Sequence, residues 1–211
     1  MSAPEFIHRF VPAKAGSSRV LLLLHGTGGD ELDLLPLGAE LDPNAALLSP
    51  RGQVVENGRP RFFRRFAEGV FDEEDVIRRA NELADFVASA AEKFCFDPTK
   101  VIAVGYSNGA NIAAAMMLLR PETLAGAILL RARVTLSHAS AADLNAKRVL
   151  ITAGSADRVI PPENAERLAA ILKERGADVK LIVQQASHGL VAADLTASRR
   201  WLLHDEADVR D

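Results

Sequence analysis

The segment Gly105-Tyr106-Ser107-Asn108-Gly109 constrains the fold of this chain more than any other. A short apolar run, Val101–Val104, precedes it and is typical of a buried strand. The residues that follow, 111–119, are rich in good helix formers. A G-x-S-x-G sequence between a strand and a helix is the sharp turn that exposes a serine hydroxyl at the edge of a sheet. The flanking glycines fit this interpretation, because a Cβ at either position would collide with the neighbouring strand or helix.

Short apolar runs alternate with helical patterns along the rest of the chain. Most of these runs are continuously apolar, as in a parallel sheet that is covered on both faces. We predict strands at Phe6–Phe10, Arg19–His25, Ala46–Ser49, Val101–Tyr106, Ala127–Leu130, Arg148–Ala153 and Val179–Val183. We predict helices at Asp72–Phe94, Asn111–Leu119, Pro162–Arg175 and Leu190–His204. The alternation indicates one α/β domain over residues 1–211, with a single doubly wound, mostly parallel sheet and helices on both faces.

A nucleophilic serine needs two partners. Its hydroxyl is a poor nucleophile near neutral pH, so it requires a base within hydrogen-bond reach, and the base requires an orienting acid. In open α/β sheets the ligand site lies at the carboxyl ends of the strands. His188 follows the last predicted strand and is the candidate base. Asp157 is the only carboxylate between the strand Arg148–Ala153 and the next helix, and it is the candidate acid.

Each of these three residues also has a purely structural interpretation. Ser107 could cap the N-terminus of a helix, Asp157 could order a turn, and His188 could be a histidine of a surface loop. Three other histidines do not directly follow a strand at the expected end of the sheet: His8, His138 and His204.

Acyl transfer also needs fixed N–H donors for the negative charge that develops on the carbonyl oxygen. The backbone N–H of Asn108, directly after the nucleophile, is one candidate. The glycine-rich loop His25–Asp30 follows an early strand and offers the second donor, which we place at Thr27. We expect His25 to order this loop and to take no part in catalysis. A glycine-rich loop can also bind phosphate, but neither glycine pattern of nucleotide-binding loops occurs here.

Four motifs together resemble those of the α/β-hydrolase superfamily: Leu24–Asp30, Gly105–Gly109, Gly154–Asp157 and Ser187–Gly189. More narrowly, the chain is similar to the small carboxylesterase/phospholipase family that includes acyl-protein thioesterases. Asn57–Arg65 and Phe71–Glu73 resemble a bacterial branch of hydrolases linked to hydroquinone and quinone resistance. The resemblance extends over about Val20 to Leu203, most of the chain.

This resemblance implies a triad of Ser107, Asp157 and His188, with Thr27 and Asn108 as oxyanion donors. It implies no cofactor and no metal, and it implies homodimers in some members. Acyl-protein thioesterases usually carry glutamine where this chain has Asn108, which weakens the thioesterase assignment but leaves the backbone donor intact. The bacterial branch tends to have proline after the arginine that corresponds to Arg131, where this chain has Ala132.

The composition bears on the partners of the protein and on its cellular location. The formal net charge of −3 gives no indication of nucleic acid or of an anionic membrane as a partner. The single cysteine, Cys95, cannot form an internal disulfide, and we expect it to be a small buried apolar residue. Residues 1–19 lack a signal-peptide pattern, and the longest apolar runs, such as Val20–Leu24, are too short to span a bilayer. We therefore expect a cytoplasmic protein.

Two segments bear on the substrate. Only residues 131–147 separate two predicted strands at the position where many α/β-hydrolases insert a lid domain, so we expect no lid and an open site. The segment Arg51–Arg65 carries five arginines around two phenylalanines. It could hold an acidic or aromatic substrate, or it could be a solvated loop with its phenylalanines in the core. We take Arg64, Phe63 and Arg131 as candidate substrate contacts.

These observations predict a serine hydrolase that cleaves small carboxylic esters or thioesters through a covalent acyl-enzyme. One alternative is a non-catalytic protein that binds small molecules on the same fold. Another is a serine peptidase or a lyase that uses the same nucleophile.

Overall fold

The structure, a computed structural model, describes residues 5–137 and 142–207, with side chains described only as far as residue 203. His138 therefore lies outside the described residues, as does the side chain of His204. The strands are β1 His8–Val11, β2 Val20–Leu24, β3 Ala46–Pro50, β4 Val54–Glu56, β5 Arg59–Arg61, β6 Arg65–Ala67, β7 Val70–Phe71, β8 Val101–Tyr106, β9 Gly126–Leu130, β10 Arg148–Gly154 and β11 Asp178–Gln184. The α-helices are α1 Leu35–Leu41, α2 Glu73–Phe94, α3 Asn108–Leu119, α4 Pro162–Glu174 and α5 Ala192–Ala207, and a 3₁₀ turn spans Pro98–Lys100.

The main sheet contains seven strands in the order β1-β3-β2-β8-β9-β10-β11. Only β1 is antiparallel to its neighbour, and the other six strands run parallel. All seven correspond to the predicted strands, so the predicted mostly parallel sheet is confirmed. Because six strands run the same way, their carboxyl ends meet at one edge of the sheet. The loops that carry Ser107, Asp157 and His188 all leave from that edge.

Helices cover the sheet on both faces. Alternate side chains of β2 belong to two separate clusters, as the two-residue period of a strand requires. Leu22 and Leu24 pack in the cluster that contains residues of α2, α3 and α4, whereas Leu21 and Leu23 pack with Trp201 of α5. Burial on both faces explains why these strands are continuously apolar in sequence.

Helix α2 has clear start and stop signals. The carboxylate of Asp72 accepts a hydrogen bond from the backbone N–H of Asp75 at 3.1 Å, which caps the first turn. The helix ends at Phe94, and Cys95, which follows it, has the left-handed conformation common at helix C-termini, with φ of 56°. Cys95 is exposed, so the prediction that it is buried was wrong: its place at the end of the helix keeps its side chain out of the core.

The sequence analysis predicts no helix or strand in the connection between β3 and α2. This connection forms two short antiparallel hairpins, β4–β5 and β6–β7. The connection between β9 and β10 contains neither helix nor strand in its described parts, 131–137 and 142–147. In the described ranges, no helix has the length and apolar character needed to cross a bilayer.

Candidate active site

Ser107 occupies a strained turn between β8 and α3. Its φ is 51° and its ψ is −110°, a conformation that residues with a Cβ rarely adopt. Its backbone N–H donates to the carbonyl of Leu130 at 2.8 Å, which ties the turn to the end of β9. An added Cβ at Gly105 would lie 2.6 Å from the backbone nitrogen of Ala110, and one at Gly109 would overlap the carbonyl of Leu24. Both glycines are therefore required by close packing, as predicted.

The structure brings the three candidate triad residues together. Nε2 of His188 lies 3.0 Å from Oγ of Ser107, and Nδ1 of His188 lies 2.8 Å from Oδ2 of Asp157. An ionised carboxylate only accepts hydrogen bonds, so Nδ1 carries the proton when the imidazole is neutral. Nε2 is then left as an acceptor that faces the serine hydroxyl. This is the arrangement in which an imidazole can remove the hydroxyl proton.

The carboxylate of Asp157 is held in place from its other side. Its Oδ1 accepts hydrogen bonds from the backbone N–H groups of Val159 and Ile160, both at 2.8 Å. Its side chain is fully buried, whereas that of His188 is 25% exposed. The candidate acid is thus enclosed and fixed, and the candidate base can be reached from solvent.

The loop around His188 is fastened through three successive carbonyls. The phenol of Tyr106 donates to the carbonyl of His188 at 3.2 Å. The guanidinium of Arg131 donates to the carbonyls of Ser187 and Gly189, at 3.2 and 3.0 Å. Burial raises the pKa of the Tyr106 phenol, so this donor keeps its proton over the neutral range. The sequence analysis did not identify Tyr106, although its place directly before Ser107 is a signal that could have found it.

The glycine-rich loop after β2 lies beside the turn that carries Ser107. An added Cβ at Gly26 would lie 2.8 Å from the ring of Tyr106, so the loop backbone passes directly over that residue. The N–H groups of Gly28 and Gly29 donate to the carbonyls of Pro60 and Gly26, at 2.9 and 3.1 Å. The N–H of Thr27 donates to no backbone carbonyl of the described residues.

His25 holds this loop from beneath. Its ring is buried, with Nδ1 2.7 Å from the carbonyl of Gly26 and Nε2 2.9 Å from the backbone N–H of Gly52. Nε2 accepts from Gly52, so Nδ1 donates to Gly26 and the ring is neutral. Burial lowers the pKa of His25 below 6.5, consistent with this neutral form. The expectation that His25 orders the loop is confirmed by these two contacts.

Asn108 contributes a side-chain contact that the sequence did not suggest. Its backbone N–H lies in the first turn of α3, where helix N–H groups have no partner within the helix. Its buried Oδ1 accepts from the backbone N–H of Phe62 at 2.7 Å, which joins α3 to the segment Arg51–Arg65. The residue after Ser107 therefore also anchors that segment.

A family model described as Phospholipase/Carboxylesterase matches residues 7–202. The chain belongs to this family. A Bacillus subtilis (strain 168) protein named "Putative hydrolase MhqD" is 46% identical over 188 residues, which make up 89% of this chain and 94% of the relative. The family membership inferred from the sequence motifs is thereby confirmed.

Solved structures agree with the family assignment. The Bacillus cereus carboxylesterase superposes with a TM-score of 0.92 and is 44% identical, covering 96% of this chain and 94% of its own. A Mesorhizobium loti carboxylesterase superposes with a TM-score of 0.89 and is 33% identical, covering 94% of each chain. The protein therefore has the α/β-hydrolase fold and is an enzyme of the carboxylic ester hydrolase class.

Two of the three candidate substrate contacts are contradicted by burial. Phe63 has no exposed surface and packs in the core with Phe71. Arg131 also has no exposed surface, because its guanidinium is bonded within the protein. Arg64 is different: its side chain is 62% exposed, although it forms an ion pair with Asp72 at 2.7 Å.

The segment Arg51–Arg65 mostly binds to the protein itself. Arg51 pairs with Glu31 at 2.6 Å, and the buried Arg61 donates to Oγ1 of Thr27 at 2.8 Å. Phe62 is buried like Phe63. The core interpretation of the two phenylalanines is thus confirmed, and Arg59 is left exposed beside Gly28. In the described residues, no group of three or more His, Cys, Asp or Glu side chains is arranged to hold a metal ion.

Proposed function

We propose that this carboxylesterase cleaves small carboxylic esters or thioesters through Ser107, His188 and Asp157, with a covalent acyl-enzyme as intermediate. The observation that carries the proposal is the position of the His188 ring, 3.0 Å from the serine hydroxyl and 2.8 Å from the carboxylate. A histidine between a hydroxyl and a buried carboxylate serves as general base and then as general acid.

In the first half-reaction, Nε2 of His188 takes the hydroxyl proton while Oγ of Ser107 bonds to the substrate carbonyl carbon. The carbonyl oxygen becomes an oxyanion, for which the backbone N–H groups of Thr27 and Asn108 are the proposed donors. When the tetrahedral intermediate collapses, the bond to the alcohol or thiol oxygen or sulfur breaks. The leaving group takes the proton from Nε2, and the acyl group stays on Oγ.

In the second half-reaction, His188 removes a proton from water, whose oxygen attacks the acyl carbonyl. The bond to Oγ then breaks, the acid is released and Oγ regains its proton. Asp157 keeps Nδ1 protonated throughout and stabilises the imidazolium cation that forms in each step. Its two backbone hydrogen bonds, to Val159 and Ile160, support this role because they leave Oδ2 directed at the ring.

The expected open site is supported by the partial exposure of His188 and by the lack of helix or strand in the described parts of the β9–β10 connection. The single domain over residues 1–211 and the cytoplasmic location expected from the sequence are part of the proposal, as is the homodimer that the family resemblance implies for some members. They are separate from the triad and require their own measurements, such as light scattering for the homodimer.

The proposal is tested by intact-mass spectrometry after reaction with a fluorophosphonate, in which an activated serine oxygen bonds to phosphorus and fluoride leaves. We expect a single adduct on the wild type and none on Ser107→Ala. Ser155→Ala is the matched control, because Ser155 is an exposed serine of the neighbouring Asp157 loop, and it should be labelled like the wild type.

Absence of an adduct on folded wild-type protein would contradict the triad and favour a non-catalytic binding protein. If the adduct forms, hydrolysis of short esters and thioesters measured beside a peptide panel separates an esterase from a serine peptidase. Turnover of peptides alone would overturn the proposed substrate class.

A further inference from the structure

Arg131 follows directly after β9 and is turned inward by its backbone. Its φ is 58°, in the left-handed region, and its side chain has no exposed surface. This conformation is unfavourable for a residue with a Cβ. It is held here by a hydrogen bond from the backbone N–H of Arg131 to the carbonyl of Thr152, at 2.8 Å. The strand thus ends in a turn that directs a guanidinium into the protein behind the His188 loop.

The guanidinium uses its full set of five N–H donors. Nη1 donates to Oγ1 of Thr152 and to Oδ1 of Asp194, both at 3.0 Å. Nη2 donates to Oδ2 of Asp194 at 2.8 Å and to the carbonyl of Gly189 at 3.0 Å. Nε donates to the carbonyl of Ser187 at 3.2 Å. A guanidinium has no further donors, so its position and orientation are determined by these partners.

Asp194 fixes the plane of that guanidinium. The two groups form a bidentate pair in which both side chains are fully buried. Oδ2 of Asp194 also accepts from the backbone N–H of Val191 at 2.9 Å, so the carboxylate is tied to the chain just before α5. A planar fork held on one side by a carboxylate presents its remaining N–H groups in set directions.

We propose that Arg131, oriented by Asp194, is a positioning residue that sets the location of the His188 ring. The two carbonyls that it holds, those of Ser187 and Gly189, belong to the residues on either side of His188. Fixing both neighbours restricts the backbone from which the imidazole extends, and thereby the distance from Nε2 to Ser107. The proposal rests on the function proposed above and assigns Arg131 no contact with substrate.

Lysine can replace the charge of Arg131 but not its geometry. An ammonium has three donors on one atom, so it can pair with Asp194 but cannot also reach both loop carbonyls. Arg131→Lys is therefore the informative variant, and Asp194→Asn, which loses the bidentate carboxylate, is the second. Arg19→Lys is the matched control, because Arg19 also pairs with an aspartate, Asp42, and donates to a backbone carbonyl, that of Leu202.

The experiment measures the rate constant for fluorophosphonate labelling of each folded variant, together with kcat and KM for p-nitrophenyl acetate. We expect Arg131→Lys to label roughly 10- to 100-fold more slowly, because displacing a catalytic group by about 1 Å costs a rate factor of that order. The loss should fall on kcat, with KM little changed. Arg19→Lys should label like the wild type, even if its melting temperature falls.

Folding of each variant is checked by near-ultraviolet circular dichroism. If Arg131→Lys is folded and labels at the wild-type rate per folded molecule, the positioning role is overturned. If that variant does not fold, Asp194→Asn is judged by the same criterion. A wild type that is not labelled at all contradicts the proposed triad itself, so the two failures are distinguishable.

Discussion

Asp157 and Asp42 lie in loops at opposite ends of the sheet and have the same local structure. In each, Oδ1 accepts from the backbone N–H groups two and three residues further along the chain. In each, Oδ2 binds a basic side chain, His188 at 2.8 Å or Arg19 at 2.6 Å. Only the partner differs.

That difference separates a candidate catalytic acid from a structural one. An arginine keeps its charge at every accessible pH, so the Arg19–Asp42 pair can only hold two segments together. An imidazole gains and loses a proton near neutral pH, so the Asp157–His188 pair can support proton transfer. The turn interpretation of Asp157 and the triad interpretation are therefore both compatible with the structure, because one oxygen serves each.

The largest expected effect comes from replacing Asp157 by asparagine, with Asp42→Asn as the matched control. At Asp157 the amide oxygen can keep the two backbone hydrogen bonds, but the amide NH₂ then faces Nδ1 of His188. The ring must accept there, so its proton moves to Nε2 and the base is lost. We expect kcat/KM to fall by about 10⁴ for a short ester, whereas Asp42→Asn should keep wild-type kcat/KM. Equal activity of the two variants would contradict the assigned difference.

Replacing glycine by alanine compares the packing at the two ends of the sheet. A Cβ at Gly109 would overlap the carbonyl of Leu24, whereas one at Gly16 meets no atom within 4 Å. We expect Gly109→Ala to lose more than about 3 kcal/mol of unfolding free energy, because β2 and α3 cannot move apart without losing contacts. Gly16→Ala should lose only about 1–2 kcal/mol, from its φ of 91°. Urea denaturation measures both, and similar losses would show that the close approach can relax.

A smaller effect is expected from the side chain of Asn108. Asn108→Ala leaves the buried backbone N–H of Phe62 without its 2.7 Å acceptor. We expect a loss of about 1–3 kcal/mol in unfolding free energy by urea denaturation. Asn44→Ala, at an exposed position near Asp42, is the control and should change stability by less than about 0.5 kcal/mol. No loss at Asn108 would mean that the N–H of Phe62 finds another acceptor.

The smallest effect is a pH dependence from His25. Well above pH 6.5 the imidazole of His25 is neutral in both the folded and the unfolded chain. Below that pH the unfolded chain binds a proton that the folded state resists, because burial lowers the pKa of His25. Its contribution to the unfolding free energy should therefore fall between pH 6.5 and 5.5, by at most about 1.4 kcal/mol per pH unit. Wild type compared with His25→Gln over this range isolates the contribution, and parallel curves would contradict it.

The sequence predicted all seven strands of the main sheet and four of the helices. Strands that are buried on both faces and helices that are buried along one stripe each leave a recognisable apolar pattern in the sequence. It did not predict α1 or the hairpins between β3 and α2, which are too short to show a period. For the site, it placed Ser107, Asp157 and His188 correctly at one edge. It misplaced Arg131 as a substrate contact, because a charged residue in a loop gives no sign that a buried carboxylate 63 residues later will pair with it.

The sequence by itself determined the turn chemistry: glycines where no Cβ fits, and an aspartate whose first oxygen binds the N–H groups just ahead of it. These interactions are local, so the order of residues is enough to specify them. The tertiary structure alone decided which side chain the second carboxylate oxygen of each aspartate binds. Strand order places a histidine opposite Asp157, an arginine opposite Asp42, and the guanidinium of Arg131 behind the histidine loop. Such contacts join residues far apart in the chain, and only the packing of the sheet brings them within hydrogen-bond distance.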